Sequence, residues 1–298
     1  MKIAFVGASG YGNVGDDTYP LVFAQQLSGH ELVFYNSDLP SSLPEDIELL
    51  VLGGGGILYN NPKEGPEEAE SPHFRCMKFY MDAAIERGIP WGISSCGFQF
   101  RSKREDAYAI ALKPWVPYLK QAKFITLRSP NCVRIARELG ERDDVSFFPD
   151  AAYLFRPDVE PMGEAPREVS IVPAGFVNPR NDLIRNYLRQ FASSEVPITW
   201  LGMGAPVDDD RHLADAAELF PRSRIIANAG PQAAFAQIAR SRFVITGRYH
   251  GLVFARIHRV PFITSVHTPY KIMNEDLDAD ISGAAGHFDV LRRFITNV

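Results

Sequence analysis

Short apolar runs alternate with longer amphipathic stretches along the whole chain. In the first half the runs are Ile3–Val6, Glu31–Tyr35, Leu49–Leu52, Trp91–Ser94, Phe124–Leu127 and Val145–Phe148. Helices are predicted between them near 16–28, 73–88, 104–119 and 130–139. In the second half the runs are Val169–Pro173, Ile198–Leu201, Arg224–Ala227, Phe243–Thr246 and Phe262–Ser265, with helices near 181–192, 210–219, 231–240 and 250–258. Strands that are apolar throughout and separated by helices predict parallel sheets covered on both faces. The segment Arg156–Arg167 holds three prolines and a glycine without periodicity, which is linker composition. The expected architecture is therefore α/β: two Rossmann-like doubly wound parallel-sheet domains, 1–160 and 161–298, facing a cleft where strand ends converge. The last stretch, Gly286–Val298, reads as a helix that packs back on either domain.

Composition sharpens this picture in a few places. Of 298 residues, 46% are hydrophobic, so a large core can be buried and disorder is excluded as the dominant state. The net charge of −5 argues against a nucleic-acid partner, which needs a cationic face. Cys76, Cys96 and Cys132 lie far apart and form neither a disulfide framework nor a four-cysteine zinc site. A reduced, cytoplasmic setting is expected, and no cluster has metal-ligand spacing. No segment approaches the ~18 uninterrupted apolar residues of a membrane span.

The first glycine loop, Gly7 to Asp17, contains Gly10, Gly12 and Gly15 in G-x-G-x-x-G spacing after a strand. Asp38, past the second run, sits where a ribose-binding acid of a dinucleotide site would lie. Electrostatics weighs against that site: Asp16 and Asp17 would occupy the first helical turn and repel a diphosphate. Either the aspartates cap the helix, or the loop holds a neutral, polyhydroxylated acceptor whose hydroxyls Asp16 accepts or helps deprotonate. A second run, Gly53–Gly56, follows a buried strand; such a run is either a hinge or a place where Gly54 and Gly55 let a ligand approach the backbone. The following loop, Asn60–Pro72, has the length of a lid.

The sharpest signal is Thr246-Gly247-Arg248-Tyr249-His250-Gly251 after a buried strand. It brings a guanidinium, an imidazole and helix N-terminal N–H groups together, and all three favour a phosphate or carboxylate. Gly251 allows close approach at the helix start, and Lys271 is a candidate second cation. Arg128, Asp150 and Arg180 are further polar groups at predicted strand ends or loops.

Taken together, these residues resemble the polysaccharide pyruvyl transferase family. The motifs that carry the resemblance are Asn13-Val14-Gly15-Asp16, Gly53–Gly56, Arg128-Ser129, Pro149-Asp150 and Arg248-Tyr249-His250-Gly251, in the family's order over about residues 1–275. Ser129 stands where the family usually has aspartate, and Ser94–Gly97 differs from its usual turn. The resemblance implies a GT-B-like fold and needs no cofactor. It implies phosphoenolpyruvate as donor and a hydroxyl pair of a cell-surface glycan or lipid-linked sugar precursor as acceptor. The product would be a pyruvate ketal, and a lipid-linked acceptor would bring the protein to a membrane surface. His250 would donate a proton or pair with phosphate, and Arg248 would neutralise the carboxylate or the leaving phosphate. Lys271 or Arg128 would assist, Asp16 or Asp150 would be the base, and Asn13, Gly15, Gly54, Gly55 and Gly251 would line the substrates. Two alternatives stay open: a GT-B glycosyltransferase using a nucleotide sugar, and a sugar- or anion-binding protein without turnover.

Overall fold

The structure, a computed structural model, describes residues 1–61, 69–99, 107–158, 168–192, 196–265 and 280–297. Most of the Asn60–Pro72 loop and of the Arg156–Arg167 segment lies outside the described residues.

The first sheet contains β1 (Lys2–Gly7), β2 (Glu31–Asn36), β3 (Leu49–Leu58), β4 (Trp91–Phe98), β5 (Ile125–Leu127) and β6 (Val145–Phe147). Its order is β2-β1-β3-β4-β5-β6, and every pairing is parallel. The second sheet contains β7 (Glu168–Val172), β8 (Ile198–Leu201), β9 (Arg224–Ile226), β10 (Ser241–Thr246) and β11 (Phe262–Thr264). It is also parallel throughout, in the order β11-β10-β7-β8-β9. Both are doubly wound α/β sheets, with the order reversing between β1 and β3 in the first and between β7 and β10 in the second. Ligands of such sheets bind outside the strand carboxyl ends at that reversal.

The helices are α1 (Val14–Gln26), α2 (Pro72–Glu86), α3 (Ala107–Ala111), α4 (Val116–Gln121), α5 (Pro130–Gly140), α6 (Asp182–Ala192), α7 (Pro206–Leu219), α8 (Pro231–Arg240), α9 (Tyr249–Ile257) and α10 (Gly286–Asn297). Sequence chemistry sets several of their ends. The Ser71 side chain accepts from the Phe74 N–H at the start of α2, a cap worth about 1 kcal/mol. Proline occupies the first helical position of α2, α5, α7 and α8, where its missing N–H costs nothing.

Two local expectations change. The stretch 104–119 is not one helix: a 3₁₀ turn, Lys113–Trp115, separates α3 from α4. Pro114 and Pro117 lack the N–H that would continue the ladder and crowd the residue before them. The Gly53–Gly56 run is a strand segment rather than a hinge, since Gly53 pairs with Ser94 and Gly55 with Cys96 inside the sheet.

The compact units differ from a 1–160/161–298 division in two places. The first unit comprises Met1–Ser9, Tyr19–Leu154 and the C-terminal segment with α10; the second comprises Gly10–Thr18 and the chain from Phe155 through β11. The physical cause at the C-terminus is burial. Phe288 and Leu291 are fully buried, and the Phe288 ring meets Phe23 edge-on at 5.2 Å. The cause at Gly10–Thr18 lies in the site described next.

The first core is built from Ile93, Trp115, Leu127 and Met77 around the first sheet. The second core is built from Val169, Ile171, Trp200 and Ile245. Both draw on strands that are buried on both faces, as the apolar runs require.

Candidate active site

In the second unit, β10 ends at Thr246, and the Gly247 N–H continues the ladder to the Val172 carbonyl at 2.9 Å. The Thr246 hydroxyl accepts from the Arg248 N–H at 3.0 Å and donates to the Arg248 carbonyl at 2.8 Å. That double contact fixes the turn from which α9 starts, with Arg248 as its N-cap residue. No acid stands in the first turn of α9, so none of the helix's own side chains offsets its positive end beside the β7/β10 reversal. Gly251 is packed onto the Thr246 hydroxyl, where a side chain would collide.

His250 is buried, and its imidazole occupies the place where a Cβ on Gly15 would sit. The Asn13–Asp16 turn is held there by its backbone: the Val14 N–H donates to the Met203 carbonyl, just past β8, at 3.0 Å. Asn13 closes the turn by accepting from the Gly15 N–H at 3.0 Å. These contacts carry residues 10–18 into the second unit, although the strand before them belongs to the first. Asn13, Gly15 and Asp16 thus lie with His250 in the second unit, not with the rest of the 1–160 stretch. The Gly10 N–H is taken by the Asp17 carboxylate at 2.6 Å. A pyrophosphate in a dinucleotide loop would need that donor, and it is already used.

Arg248 does not stand alone. Its Nη2 donates to Asp209 Oδ1 at 2.6 Å, and Asp209 Oδ2 accepts from the Gly204 N–H at 2.6 Å. Asp209 has no sequence signal of its own, because it is the middle one of three consecutive aspartates. Arg180 is largely exposed and pairs at 2.7 Å with Asp215, a buried acid of α7. Lys271 lies outside the described residues.

The first unit gathers the other candidates into a buried cluster. Arg128 follows β5 and Asp150 follows β6; Arg128 Nη1 donates to Asp150 Oδ2 at 2.7 Å and to the Tyr19 hydroxyl at 2.8 Å. The Tyr19 hydroxyl in turn lies 2.8 Å from Asp150 Oδ2, and Asp150 Oδ1 accepts from the Ala152 N–H at 2.9 Å. Asp150 is fully buried, with its carboxylate held by Arg128, Tyr19 and the Ala152 N–H. Gly54, at φ +79°, leaves the space that the Tyr19 ring fills, and Gly55 is buried in the ladder. Neither glycine therefore offers an open cradle.

His287 of α10 supports this cluster from behind. Its Nε2 meets the Pro149 carbonyl at 3.0 Å and its Nδ1 meets the Thr126 hydroxyl at 2.7 Å. A carbonyl only accepts, so Nε2 carries the hydrogen; with the ring neutral, Nδ1 accepts from the Thr126 hydroxyl. Burial agrees, lowering its pKa from the ordinary 6.5 to about 4. Cys96 is fully buried, and burial pushes its thiol up to about 12, which keeps it protonated. Among the described residues no group of three or more His, Cys, Asp or Glu could hold a metal ion, and no helix is long and apolar enough to cross a membrane.

Two parallel doubly wound units, with an Arg-x-His-Gly turn at a sheet reversal, define a GT-B-like α/β protein. Solved structures with this fold include UDP-GlcNAc 2-epimerase from Methanocaldococcus jannaschii, 9% identical over 100% of both chains with a TM-score of 0.59. Another is UDP-GlcNAc 2-epimerase from Neisseria meningitidis bound to UDP-GlcNAc, 8% identical over 99% of this chain and 92% of that one, with a TM-score of 0.56. At such identities the likeness is one of fold. Comparison with curated proteins finds none that matches. The family model for polysaccharide pyruvyl transferase matches residues 13–267, most of the chain, and the protein belongs to that family.

Proposed function

We propose that the protein moves the pyruvyl group of phosphoenolpyruvate onto two hydroxyls of a glycan, or of its lipid-linked precursor, forming a cyclic ketal. The observation that carries this reading is the packing of the Asn13–Asp16 turn against His250, which joins the two ends of the matched sequence in one site. Membership of the family supports the transfer chemistry. A cytoplasmic setting, with contact at a membrane surface through a lipid-linked acceptor, follows from that reading.

The donor carries a carboxylate and a phosphate, and the Arg248 guanidinium with the N-terminus of α9 suits either. In the reaction the methylene carbon takes a proton and becomes a methyl group. Positive charge then develops at the adjacent carbon, which an acceptor hydroxyl attacks. The carbon–oxygen bond to phosphate breaks, and the second hydroxyl closes the ring. Two hydroxyl protons are released; one balances the methylene proton and the other leaves on phosphate. His250 is the proton donor to the methylene carbon, and such a group contributes about 10²–10⁴-fold. Arg248 stabilises the anion on the departing phosphate. Asp16, next to Gly15 and in the first turn of α1, is the base for the acceptor hydroxyl. Asp150 is left out of that role because its charge is buried against Arg128.

Calorimetry tests the donor. Phosphoenolpyruvate is expected to bind and UDP-sugars are not; binding of UDP-sugars without phosphoenolpyruvate would replace this reading with a nucleotide-sugar glycosyltransferase. Phosphate release in the presence of glycan acceptors distinguishes turnover from simple binding.

A further inference from the structure

Arg248 projects from the N-cap of α9 on a long side chain, yet its direction is set by neighbours that belong to other elements. Asp209, on α7, is 3% exposed and receives the Arg248 Nη2 at 2.6 Å; Arg248 itself is 20% exposed. The second carboxylate oxygen of Asp209 is pinned by the Gly204 N–H at 2.6 Å, so the acceptor is rigid. Gly204 completes the arrangement, because a Cβ there would fall on the guanidinium.

Such a pair is a poor device for raw anion affinity. A carboxylate beside a guanidinium cancels much of its long-range pull. What the carboxylate supplies is orientation: a guanidinium has a planar fork of donors whose direction matters for a two-ended ligand. We infer that Asp209 is a positioning residue that aims Arg248 and thereby favours the two-ended donor phosphoenolpyruvate over the one-ended product, inorganic phosphate. The inference rests on the proposed role of Arg248 as a ligand for the donor anion. Loss of the Asp209 charge strengthens the attraction of both anions, and more so for phosphoenolpyruvate, which carries the additional carboxylate charge; that effect alone would raise the phosphate-to-phosphoenolpyruvate Kd ratio, so a fall in the ratio reports lost orientation. Loss of orientation weakens only the ligand that must be held at two points.

The experiment is calorimetric binding of phosphoenolpyruvate and of inorganic phosphate to the full chain and to D209N, Gly204→Ala, R248K and D209N/R248K. In D209N the ratio of the phosphate Kd to the phosphoenolpyruvate Kd is expected to fall at least fivefold, with phosphate binding tightened. In Gly204→Ala, which keeps the carboxylate, the ratio is expected to fall through weaker phosphoenolpyruvate binding alone; this variant carries the test should D209N not fold. In the R248K background the D209N change is expected to disappear, since Asp209 would have no guanidinium to aim. A ratio within twofold of wild type in the folded variants, or an equal fall in the R248K background, overturns the role of Asp209. No phosphoenolpyruvate binding by the wild type removes the proposed function and this inference together, whereas binding with an unchanged ratio removes the inference alone.

Discussion

Gly15 carries no side chain where the imidazole of His250 needs the room. Adding one methyl group there sets two effects against each other. Alanine is a better helix former than glycine by about 0.8–1 kcal/mol, and Gly15 lies in the first turn of α1. The new Cβ also displaces the His250 ring. Gly15→Ala is therefore expected to keep its melting temperature within a few degrees while phosphate release falls at least 10-fold. Unchanged turnover would show that the imidazole position is immaterial. His250→Gln, which keeps much of the volume, is expected to cost at least ~100-fold in the same assay. Individual residues were unequally readable from the chain alone. Arg248, His250, Gly251, Asn13 and Gly15 are recognisable because their residue types and local spacing already describe an anion turn and a tight glycine turn. Asp209 is not, because nothing local separates it from Asp208 and Asp210. Arg128 and Asp150 are visible as polar groups after strands, but the partner that explains them, Tyr19, is 131 residues from Asp150.

Elements show where local patterns stop being sufficient. The apolar runs locate the eleven strands of the described residues, but they stop β3 at Leu52, whereas the ladder continues through four glycines to Leu58. A glycine run carries no side-chain period, so its pairing with β4 is invisible until the neighbour is in place. The ends of β5 and β6 are joined to α1 by the Arg128–Asp150–Tyr19 cluster, and this contact has a measurable weight. Asp150 is fully buried, so Asp150→Ala strands the Arg128 charge and is expected to destabilise by about 3–5 kcal/mol in urea unfolding. Tyr19→Phe removes a hydroxyl that accepts from Arg128 and donates to Asp150 but leaves the ion pair itself in place, and is expected to cost less, about 1.5–3 kcal/mol. Equal costs for the two variants would mean that the ion pair is not the anchor.

Over the whole molecule, pH reads the same architecture. His287 is neutral and buried, with a pKa of about 4 against an ordinary 6.5. Above about 6.5 neither the folded nor the unfolded chain holds that proton, and the full stability is present. As pH falls towards 4 only the unfolded chain takes it up, so stability declines, by roughly 3 kcal/mol in total. His258, also lowered chiefly by burial, acts in the same direction. Stability to urea is therefore expected to fall between pH 6.5 and 4, with a shallower fall in His287→Gln. An equal slope in the two proteins would count against the buried neutral ring. Carboxylates lowered by partners, such as Asp144 beside Arg142, lose their contribution only at lower pH.

The chain by itself determined the α/β class, the two parallel sheets, most helix ends and the Arg-x-His-Gly turn. Burial on both faces and helix capping leave marks within a few neighbouring residues. Folding alone decided that residues 10–18 join the second unit, that α10 returns to the first, and that β10 lies beside β7. Those choices depend on which distant backbone and side-chain groups satisfy one another, and no local period records them.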